Sequence, residues 1–481
     1  MKITLINPAM NFKVFGSFAR FMQPMPPLGL AYLAAILEKK GIDVAVIDNF
    51  VAKMDVPGTL RLIKARKPDV VGISCLTPSA PEVYAIARAV KEFDSSITVM
   101  LGNIHASVFA EDILKHEAVD FVVRGEGENS VPEILDALSG SKKYESIAGI
   151  SFKKNGVVVH TPDAAPIHDL DSLPFPAWHL FPYHHYGMLP FMDIKKPCLS
   201  IVSSRGCPYK CVFCCLFGTG TVFRTRNPYA VADEMEYLIK KFSVRQLGFV
   251  DPAFALSRKN AVTLCEEIIK REIHKKLVWI CETRVDLMDN DILSLMKKAG
   301  CRRILYGIES GSGDTLAQSK KQFKKEEVIR AIKATRKAGI ETSGLFMIGL
   351  PGETKKMAEE TLRFSKELNL DFAKFAITVP YPGSKLFEDL KKSGNLISRE
   401  WDQYVTFNTD PRKLVYIPGN MTPEELIRLQ KTAHLTFYLQ PKLILRQMWN
   451  IRSISCADLF RGLHTLLTYN INKQNLHTNT I

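Results

Sequence analysis

The stretch that decides the fold is "CLSIVSSRGCPYKCVFCC", residues 198–215, where a β-rich run leads directly into a cluster of cysteines. Three of these cysteines, Cys207, Cys211 and Cys214, have the spacing C-x3-C-x2-C. Three thiolates on a short loop can hold three irons of a 4Fe–4S cluster and leave one iron open to a small molecule. The adjacent Cys215 is a rival ligand, but neighbouring cysteines are poorly placed to hold two corners of one compact cluster.

A structural zinc site is the alternative interpretation of these cysteines. Zinc favours a closed set of four ligands, commonly supplied as two pairs. No second C-x2-C or H-x3-H motif lies near residues 207–215. The chain has 10 cysteines in 481 residues, which is too sparse for a disulfide scaffold and fits a reducing compartment. The pattern therefore favours a metal cluster with an open position.

Six β-rich runs alternate with helix-like stretches from residue 198 onward. The predicted strands are 198–204, 246–251, 278–286, 303–310, 341–349 and 372–383. Successive βα units with right-handed crossovers curl into a barrel, and barrel active sites lie at the carboxyl ends of the strands. We therefore predict a partial (β/α)6 barrel over residues 198–395. The spaced cysteines follow its first strand, at the end where chemistry is expected.

Residues 1–142 show the same alternation and predict an α/β domain with a doubly wound parallel sheet. Ligands of such sheets lie beyond the carboxyl ends of the strands. Several of these ends are rich in small, polar or turn residues. The candidate binding residues are Ser74, Thr77, Gly102, His105, Gly125 and Glu126. For each of them, a plain turn is the alternative interpretation.

Two further regions have no strand–helix alternation. Residues 143–197 are rich in Pro, Asp and aromatic residues, and we predict an extended linker pinned by Phe175, Trp178 and Phe181. The region 396–481 is basic and is predicted to be helical. It could cap the barrel, cover the substrate or contact a membrane surface, and capping is the favoured interpretation.

The composition is that of a globular protein, and we predict a cytoplasmic location. Hydrophobic residues make up 46% of the chain and charged residues 24%. No signal peptide is visible, and no apolar run reaches the roughly 20 residues that a membrane span requires. The formal net charge of +14 is spread along the chain, which disfavours a dedicated nucleic-acid surface.

The cysteine spacing, with the aromatic Phe213 before its last cysteine, resembles the radical S-adenosylmethionine (SAM) superfamily. The resemblance implies that Cys207, Cys211 and Cys214 bind a 4Fe–4S cluster and that SAM chelates the open iron. It further implies that one electron cleaves SAM to a 5′-deoxyadenosyl radical, which removes a hydrogen atom from the substrate.

Segments at later strand ends resemble other motifs of the superfamily. They are "GFVDPAF", "TRVD", "YGIESGS" and "MIGLPGET". The first departs from the Gly-Gly-Glu of many members, and the resemblance gives Asp251 the contact with the SAM amino group. It also implies contacts of Arg284 and Glu309 with the SAM carboxylate and ribose, of Ile348 with the adenine, and of Phe213 with SAM. A purely structural ion pair between Arg284 and Glu309 is the alternative.

The N-terminal half resembles the cobalamin-binding domain and connector of cobalamin-dependent radical SAM enzymes. The ordered segments that carry this resemblance are "LINPA", "LGNIHAS", "VVRGEGE" and "LDSLPFPAW". It implies that the candidate residues of the first domain bind cobalamin. The string Asp-x-His-x-x-Gly is absent, so no histidine is expected on cobalt, and His105 is not assigned as an axial ligand. Loss of cobalamin during evolution is the alternative.

Together these resemblances imply a cobalamin-dependent radical SAM methyltransferase that acts on an unactivated carbon. One alternative is an oxidative cyclase or rearrangement enzyme of the magnesium-protoporphyrin ester cyclase type, and another is a non-catalytic cobalamin- or cluster-binding sensor. The expected partners are a small-molecule substrate, with lipids and tetrapyrroles as candidates, and an electron donor such as flavodoxin or ferredoxin. A peripheral membrane contact is a further candidate, and no nucleic-acid partner is expected.

Overall fold

The N-terminal domain is built on a seven-stranded sheet. The computed structural model describes residues 1–11, 14, 23–187, 194–215, 220–408 and 410–449. The strands are β1 (Lys2–Asn7), β2 (Asp43–Asp48), β3 (Val70–Ser74), β4 (Thr98–Gly102), β5 (Phe121–Val123), β6 (Ile150–Lys154) and β7 (Val157–His160). Their order is β2-β1-β3-β4-β5-β6-β7, and the pairings among β1 to β5 are all parallel.

Helices cover both faces of this sheet. They are α1 (Leu28–Lys39), α2 (Asn49–Ala52), α3 (Val56–Arg66), α4 (Ala80–Phe93), α5 (Ile104–Val108), α6 (Ala110–Leu114) and α7 (Gly127–Leu138). Leu5 packs with α1 and α7, whereas the next residue, Ile6, packs with α3, α4 and α6. Successive side chains of a strand point to opposite faces, so an almost continuous apolar strand is buried on both sides. The predicted doubly wound α/β fold is confirmed.

The hairpin of β6 and β7 corrects the prediction of an extended linker. These strands pair with each other and with β5 in antiparallel fashion. Asn155 and Gly156 form the turn between them, and both have positive φ values, of 51° and 78°. Asn-Gly favours a tight two-residue hairpin turn because both residues tolerate this conformation. The region 143–197 therefore contains a regular hairpin, and the domain boundaries themselves stay a prediction.

The second domain contains a six-stranded parallel sheet. Its strands are β8 (Cys198–Ile201), β11 (Gln246–Phe249), β12 (Val278–Thr283), β13 (Cys301–Glu309), β14 (Glu341–Ile348) and β15 (Phe372–Ile377); a small hairpin of β9 (Ser204–Arg205) and β10 (Arg224–Thr225) follows β8. The order is β15-β14-β13-β12-β11-β8, with every pairing parallel. The connecting helices are α8 (Pro228–Phe242), α9 (Arg258–Lys270), α10 (Asn290–Lys298), α11 (Gly313–Gln318), α12 (Lys325–Lys337), α13 (Lys355–Glu367) and α14 (Lys385–Ser393).

The second sheet curls around a small apolar plug. Cys198 of β8, Ile280 of β12 and Leu305 of β13 form one buried cluster, with Leu345 of β14 packed against it. Side chains of these four strands meet on the inner face because the sheet curves into a partial barrel. The outer face packs against helices: the Trp279 indole donates to the Ala299 carbonyl, just after α10, at 2.7 Å. The predicted partial barrel is confirmed.

The C-terminal region covers the edge strand β15. It contains the helices α15 (Pro423–Tyr438) and α16 (Pro441–Trp449). The Gln430 side chain donates to the Phe375 carbonyl of β15 at 2.8 Å, and the Tyr438 hydroxyl donates to the Ala373 carbonyl at 2.8 Å. These bonds satisfy polar groups that an open sheet edge leaves unpaired. Residues 450–481 of the predicted helical region lie outside the described residues. None of the helices in the described ranges is both long and apolar enough to span a bilayer.

The aromatic residues of the linker attach the two domains to each other. Trp178 is fully buried and contacts Phe181 and Tyr186. The neighbouring Ala177 amide donates to the Ala31 carbonyl of α1 at 3.0 Å. Phe175 contacts Tyr237 of α8 in the barrel domain. The linker is therefore part of a core that both domains share.

Replacing Trp178 by alanine is expected to destabilise this shared core. The Trp178→Ala change should lower the free energy of unfolding by about 3–5 kcal/mol, since it leaves a cavity. The exposed residue His185 provides the control, and His185→Ala should change stability by about 0.5 kcal/mol or less. Urea denaturation followed by circular dichroism measures both variants. Equal urea midpoints for Trp178→Ala and His185→Ala would contradict the structural role of Trp178.

Candidate active site between the barrel and the N-terminal sheet

The cysteine loop begins at the short hairpin of β9 and β10. Gly206 follows β9 with φ +82°, and a Cβ built on it lies 2.0 Å from the Val222 carbonyl oxygen. Only glycine fits this position, because the backbone is left-handed and the opposite strand is in contact. The Cys207 amide then donates to the Gly220 carbonyl at 3.3 Å. The sharp turn directs the loop across the carboxyl ends of the barrel strands.

Two barrel connections hold the loop in place. The Val212 amide donates to the Ser319 carbonyl at 3.3 Å, and the Val212 carbonyl accepts from the Leu386 amide at 2.9 Å. The Cys215 thiol donates to the Pro382 carbonyl at 3.1 Å. Cys215 is thus engaged by the connection after β15. This contact supports the interpretation that it is not a cluster ligand.

The three spaced cysteines fit a cluster better than a single ion. Cys207 and Cys211 are half-buried, and Cys214 is exposed. In the described part of the chain, no three His, Cys, Asp or Glu side chains converge as ligands of one metal ion. A 4Fe–4S cluster places one thiolate on each of three irons, so its ligands lie farther apart than those of one ion. The half-exposed loop leaves room for such a cluster.

Positive charges surround the cysteine loop. Burial raises the pKa of the Cys211 thiol, and the charges of Lys321 and Arg284 oppose that shift. The Arg284 guanidinium stacks on the Tyr209 ring at 3.6 Å, and Tyr209 lies between the first two cysteines. A cation over an aromatic face is attracted by the ring quadrupole. Arg284 therefore joins the end of β12 to the cysteine loop.

Arg284 and Glu309 do not form the ion pair that was the structural alternative for them. Arg284 makes two bonds of 2.9 Å to Asp286, and Glu309 accepts from Lys321 at 2.9 Å. Glu309 has φ +65° at a register shift between β13 and β14. Strained backbone of this kind persists only where surrounding structure supports it, and it clusters at functional sites. Both side chains lie at the active end of the barrel.

Asp251 holds the end of β8. Its buried carboxylate accepts from the Ser203 amide at 2.7 Å, from the Ser203 hydroxyl, and from the Ser204 hydroxyl at 2.7 Å. Burial raises its pKa, and these bonds oppose the rise. The carboxylate therefore fixes the segment that leads into the cysteine loop. The contact with the SAM amino group expected for Asp251 stays a prediction.

Phe213 and Ile348 occupy different surroundings. Phe213 is half-buried and packs against Leu386, Leu390 and Tyr416. Ile348 ends β14 and is fully buried in the main core. Phe213 thus anchors the cysteine loop on α14. The Ile348 side chain is not exposed to a ligand, and the adenine contact expected for it stays a prediction.

A large cavity lies beyond the carboxyl ends of β1, β3, β4 and β5. Its volume is about 660 Å³. Four of the predicted binding residues line it, namely Ser74, Gly102, Gly125 and Glu126. The barrel contributes Val202, Ser204, Arg205, Val250 and Pro252 to the opposite wall. This volume is in the range of cofactor sites, and the cavity opens between the first sheet and the barrel.

Thr77 and His105 do not line this cavity, which corrects their selection as binding residues. His105 is buried, with the Tyr84 hydroxyl 2.9 Å from its Nε2 atom and the Thr77 hydroxyl 3.4 Å from its Nδ1 atom. Its ring contacts Phe109 and Trp401. Burial lowers the pKa of His105 to about 3, so the ring is neutral. His105 joins the first domain to the C-terminal region.

Glu126 connects the cavity to the cysteine loop. Its carboxylate lies 2.8 Å from Arg224 and 3.2 Å from Arg205, and Arg205 also lies 2.7 Å from Glu128. All four side chains are buried or nearly so. Burial alone raises the pKa of Glu126, but the bonds from Arg224 and the Ile167 amide, with the charge of Arg205, lower it overall. Arg205 is two residues from Cys207, so these ion pairs join both sites.

Comparisons with known proteins agree with this arrangement. Residues 18–135 match the model of the B12 binding domain, and residues 201–365 match that of the Radical SAM superfamily. The uncharacterized methyltransferase PH0819 of Pyrococcus horikoshii is 32% identical over 443 residues, which cover 91% of this chain and 93% of that protein. The chain belongs to the cobalamin-binding radical SAM enzymes.

One further relative supports membership in this family, and one solved structure shares the fold. The anaerobic magnesium-protoporphyrin IX monomethyl ester cyclase of Rubrivivax gelatinosus is 31% identical over 414 residues, covering 84% of this chain and 73% of the cyclase. The structure of TsrM, a radical SAM methyltransferase from Kitasatospora setae, superimposes with a TM-score of 0.69 at 18% identity, covering 92% of this chain and 89% of TsrM. The latter similarity concerns the fold.

Sequence reasoning missed several residues of this radical SAM protein's site. Lys321, Tyr209, Arg205 and Arg224 each contact a predicted site residue. Tyr209 and Arg205 each lie two residues from Cys207, and this proximity could have identified them as site residues. No local pattern singled out Lys321 or Arg224, because their partners lie on distant segments. Their contacts depend on the tertiary fold.

Replacing Gly206 by alanine is expected to impair assembly of the cysteine loop. The added Cβ meets the Val222 carbonyl oxygen, and left-handed backbone costs a non-glycine residue about 1–2 kcal/mol besides. We expect the iron bound after anaerobic reconstitution to fall several-fold, as measured by iron and sulfide analysis. Gly313→Ala is the control, since a Cβ there has no neighbour within 4 Å. Equal iron in both variants would disprove the role of Gly206.

Replacing Glu126 by glutamine is expected to weaken the joint between the domains. The native-state pKa of Glu126 lies below its ordinary value of 4.5, so its charge stabilises the fold above that pH. Glu126→Gln should cost about 3 kcal/mol at neutral pH. The difference should shrink as pH falls through the native-state pKa, since wild-type Glu126 then becomes neutral as well.

Denaturation midpoints at several pH values measure this effect. The exposed residue Glu117 provides the control, and Glu117→Gln should leave stability unchanged at each pH. A difference between wild type and Glu126→Gln that is the same at all pH values would show that the carboxylate charge is not responsible.

Proposed function

We propose that this protein is a cobalamin-dependent radical SAM methyltransferase that acts on an unactivated carbon. The observation that carries this proposal is the shared wall of the two sites. Arg205 lines the large cavity of the first domain and lies two residues before Cys207. A group bound in the cavity and a group bound at the cysteine loop therefore face a common space. Membership in the family and the methyltransferase name of PH0819 support the same function.

We assign the cluster to Cys207, Cys211 and Cys214, whose loop is half-exposed and held by backbone hydrogen bonds. These three cysteines would hold the cluster, which would supply one-electron chemistry for the reductive cleavage of SAM. Arg284 and Lys321 lie beside the loop as cations. They balance the negative charge of thiolate ligands and attract the SAM carboxylate. Glu309 is assigned to the ribose.

Cobalamin fits the cavity beyond the first sheet. Ser74, Gly102, Gly125 and Glu126 line the cavity, and the two glycines let a large planar group approach the backbone. Cobalamin supplies a carrier for a methyl group taken from a second SAM. No histidine is among the described residues that line this cavity. That the protein places no histidine on cobalt stays a prediction.

The remaining residues position these groups and exclude water. Asp251 fixes the segment before the cysteine loop through Ser203 and Ser204. Glu126 and Glu128 fix Arg205 at the boundary between cavity and loop. A dry, fixed site lets a reactive radical meet only its target. The reductant that such a site needs is proposed to be a flavodoxin or ferredoxin. The cytoplasmic location and the membrane contact stay predictions.

An oxidative cyclase is the second candidate function. It is favoured by the 31% identity with the magnesium-protoporphyrin ester cyclase of Rubrivivax gelatinosus over 84% of this chain. Both candidates require the cluster and SAM. They differ in the fate of the SAM methyl group, since cyclisation transfers no methyl group and forms no S-adenosylhomocysteine.

The cluster assignment is tested by the SAM cleavage of two cysteine variants. Protein is reconstituted anaerobically with iron and sulfide, reduced, and supplied with SAM. We expect 5′-deoxyadenosine from wild type, none above background from Cys211→Ser, and the wild-type amount from Cys215→Ser. The last variant is the matched control, because the Cys215 thiol is engaged by Pro382. Formation of 5′-deoxyadenosine by Cys211→Ser would contradict the assignment. So would the absence of 5′-deoxyadenosine from both variants.

The same reaction, run with and without added hydroxocobalamin, separates the two functions. A methyltransferase should form S-adenosylhomocysteine in a cobalamin-dependent manner, because SAM loses its methyl group to the carrier. A cyclase should form 5′-deoxyadenosine alone. Chromatography with mass detection measures both products. Cobalamin-independent product ratios would rule out the methyltransferase and leave the radical chemistry intact.

A further inference from the structure

Four charged side chains share the interior of the barrel, and two of them lack a partner. Lys321 and Glu309 pair at 2.9 Å. Glu282 of β12 and Lys374 of β15 interact electrostatically with each other and with Glu309. Among the described residues, neither Glu282 nor Lys374 has an ion-pair or hydrogen-bond partner in contact. The interior therefore contains one negative and one positive group without a contacting counter-charge.

Alternation along the strands places these two side chains inside the barrel. Ile280 belongs to the apolar plug, so Glu282, two residues later, points to the same inner face. Leu345, which packs against the plug, pairs with Lys374 in register. Glu282 remains exposed although its neighbours on both sides, Cys281 and Thr283, are buried. Glu282 is the last but one residue of β12, so its exposed side chain shows that the inner face is open at the carboxyl end of this strand.

Small residues create this space. Gly248 of β11 pairs with Ser200 of β8 and with Ile280 of β12, so Gly248 and Ser200 share the inner face. Gly307 of β13 pairs with Leu345 and therefore also faces inward. A Cβ on Gly307 would lie 2.8 Å from the Glu309 carboxylate and 3.1 Å from the Lys321 ammonium group. Gly307 thus leaves room for the Glu309–Lys321 pair, and Gly248 and Ser200 leave room beside Ile280, one inward-facing position before Glu282.

Lys374 lies near residues that connect to the wall of the first domain's cavity. The Lys374 ammonium group lies 5.2 Å from the centre of the Phe407 ring. Phe407 and Met10 both pack against the small apolar cluster of Val14 and Val405, and Met10 lines the large cavity. One apolar cluster therefore connects the surroundings of Lys374 to the wall of that cavity.

The surrounding protein makes both lone charges less favourable than they are in water. It raises the pKa of Glu282 and lowers the pKa of Lys374, and in each case the charge of the other residue opposes the shift. Glu282 is nevertheless exposed and Lys374 is half-buried, so a ligand can reach both side chains. Arg284, another cation at this end, is already paired with Asp286. A ligand with complementary charges would replace the water around both groups.

We propose that Glu282 and Lys374 form the substrate-binding site of the barrel and that the substrate is a small zwitterionic molecule. Its carboxylate or phosphate binds Lys374, and its ammonium group or a comparable N–H donor binds Glu282. The identification of this ligand as the substrate rests on the proposed function. The binding site itself rests on the charges, the open space and its position. A purely hydrocarbon substrate leaves both charges unsatisfied and is disfavoured.

The test uses ω-amino acids as probes, because they carry both charges at a variable separation. Reconstituted holoprotein is treated with acetic anhydride, and acetylation of each lysine is followed by peptide mass spectrometry. Glycine, β-alanine, 4-aminobutanoate and 5-aminopentanoate are compared with acetate and ethylammonium. The amino probes also consume acetic anhydride, so acetylation of Lys374 is expressed as a ratio to that of the exposed residue Lys333, which is the internal control. We expect this ratio to fall several-fold with the zwitterion of best length and to fall less with either single ion.

The variant Glu282→Gln tests the two-point contact. It should raise the concentration of the best zwitterion needed for half-maximal protection about tenfold, since one charge-assisted hydrogen bond is lost. Absence of protection at Lys374 in the wild type overturns the proposal. Two results overturn the two-point site. One is that acetate protects Lys374 as well as every zwitterion does. The other is that the best zwitterion protects Lys374 at the same concentration in a folded Glu282→Gln protein as in the wild type.

This measurement requires no turnover, so the two proposals fail in different ways. Protein that cleaves SAM but shows no protection of Lys374 retains the proposed function and loses this substrate site. Protein that protects Lys374 but forms neither 5′-deoxyadenosine nor S-adenosylhomocysteine retains the binding site and loses the proposed function.

Discussion

The ion pairs of Glu126 with Arg205 and Arg224 are the constraint on which the working arrangement depends. They join the loop after β5 to the hairpin that begins the cysteine loop. Buried ion pairs contribute little net stability compared with apolar packing, but their geometry is specific. A small rotation between the domains would separate the charges and leave them buried. The two halves are therefore fixed at the position where the cavity and the cysteine loop face each other.

This constraint explains why the cavity has two walls of different origin. The first sheet provides strand ends such as Ser74 and Gly102, as expected for a doubly wound sheet. The barrel provides Val202 and Val250, which lie at its own active end. Each fold alone offers an open surface at its carboxyl edge. Only their fixed apposition forms a cavity with walls from both folds, and this cavity stays partly open, since Met25, Leu76 and Val250 in its lining are exposed.

The fold was largely predictable because buried parallel strands are apolar on both faces. Such strands appear as short apolar runs between helices, and all six strands of the second sheet overlap predicted ones. The hairpin of β6 and β7 was missed because aromatic and proline residues nearby suggested an irregular linker. Its Asn155-Gly156 turn was the local signal that should have been used. Strand ends were less predictable, since Pro380 and Pro382 follow β15 without belonging to it.

The chain segments that form the candidate site were predictable from the sequence, but the positions of their side chains were not. The cysteine spacing needs only one loop and was evident. Thr77 and His105 were chosen because they follow strand ends, yet their side chains turn away from the cavity. Trp401, more than two hundred residues away, completes the surroundings of His105. The direction in which a side chain points depends on such packing with distant residues, and a local sequence pattern does not predict it.

On the inner face of the barrel, apolar side chains and charged side chains occupy different positions along the same strands. The plug of Cys198, Ile280 and Leu305 closes the lower end and needs no ligand. Two residues above Ile280, the strand places Glu282 where an apolar side chain would extend the plug and stabilise the fold. Glu282, and Lys374 on β15, contribute less to stability than apolar side chains at these inward-facing positions would. Their retention is understandable if the missing partner is the molecule on which the radical acts, because binding then supplies both the counter-charges and the orientation of the reacting carbon.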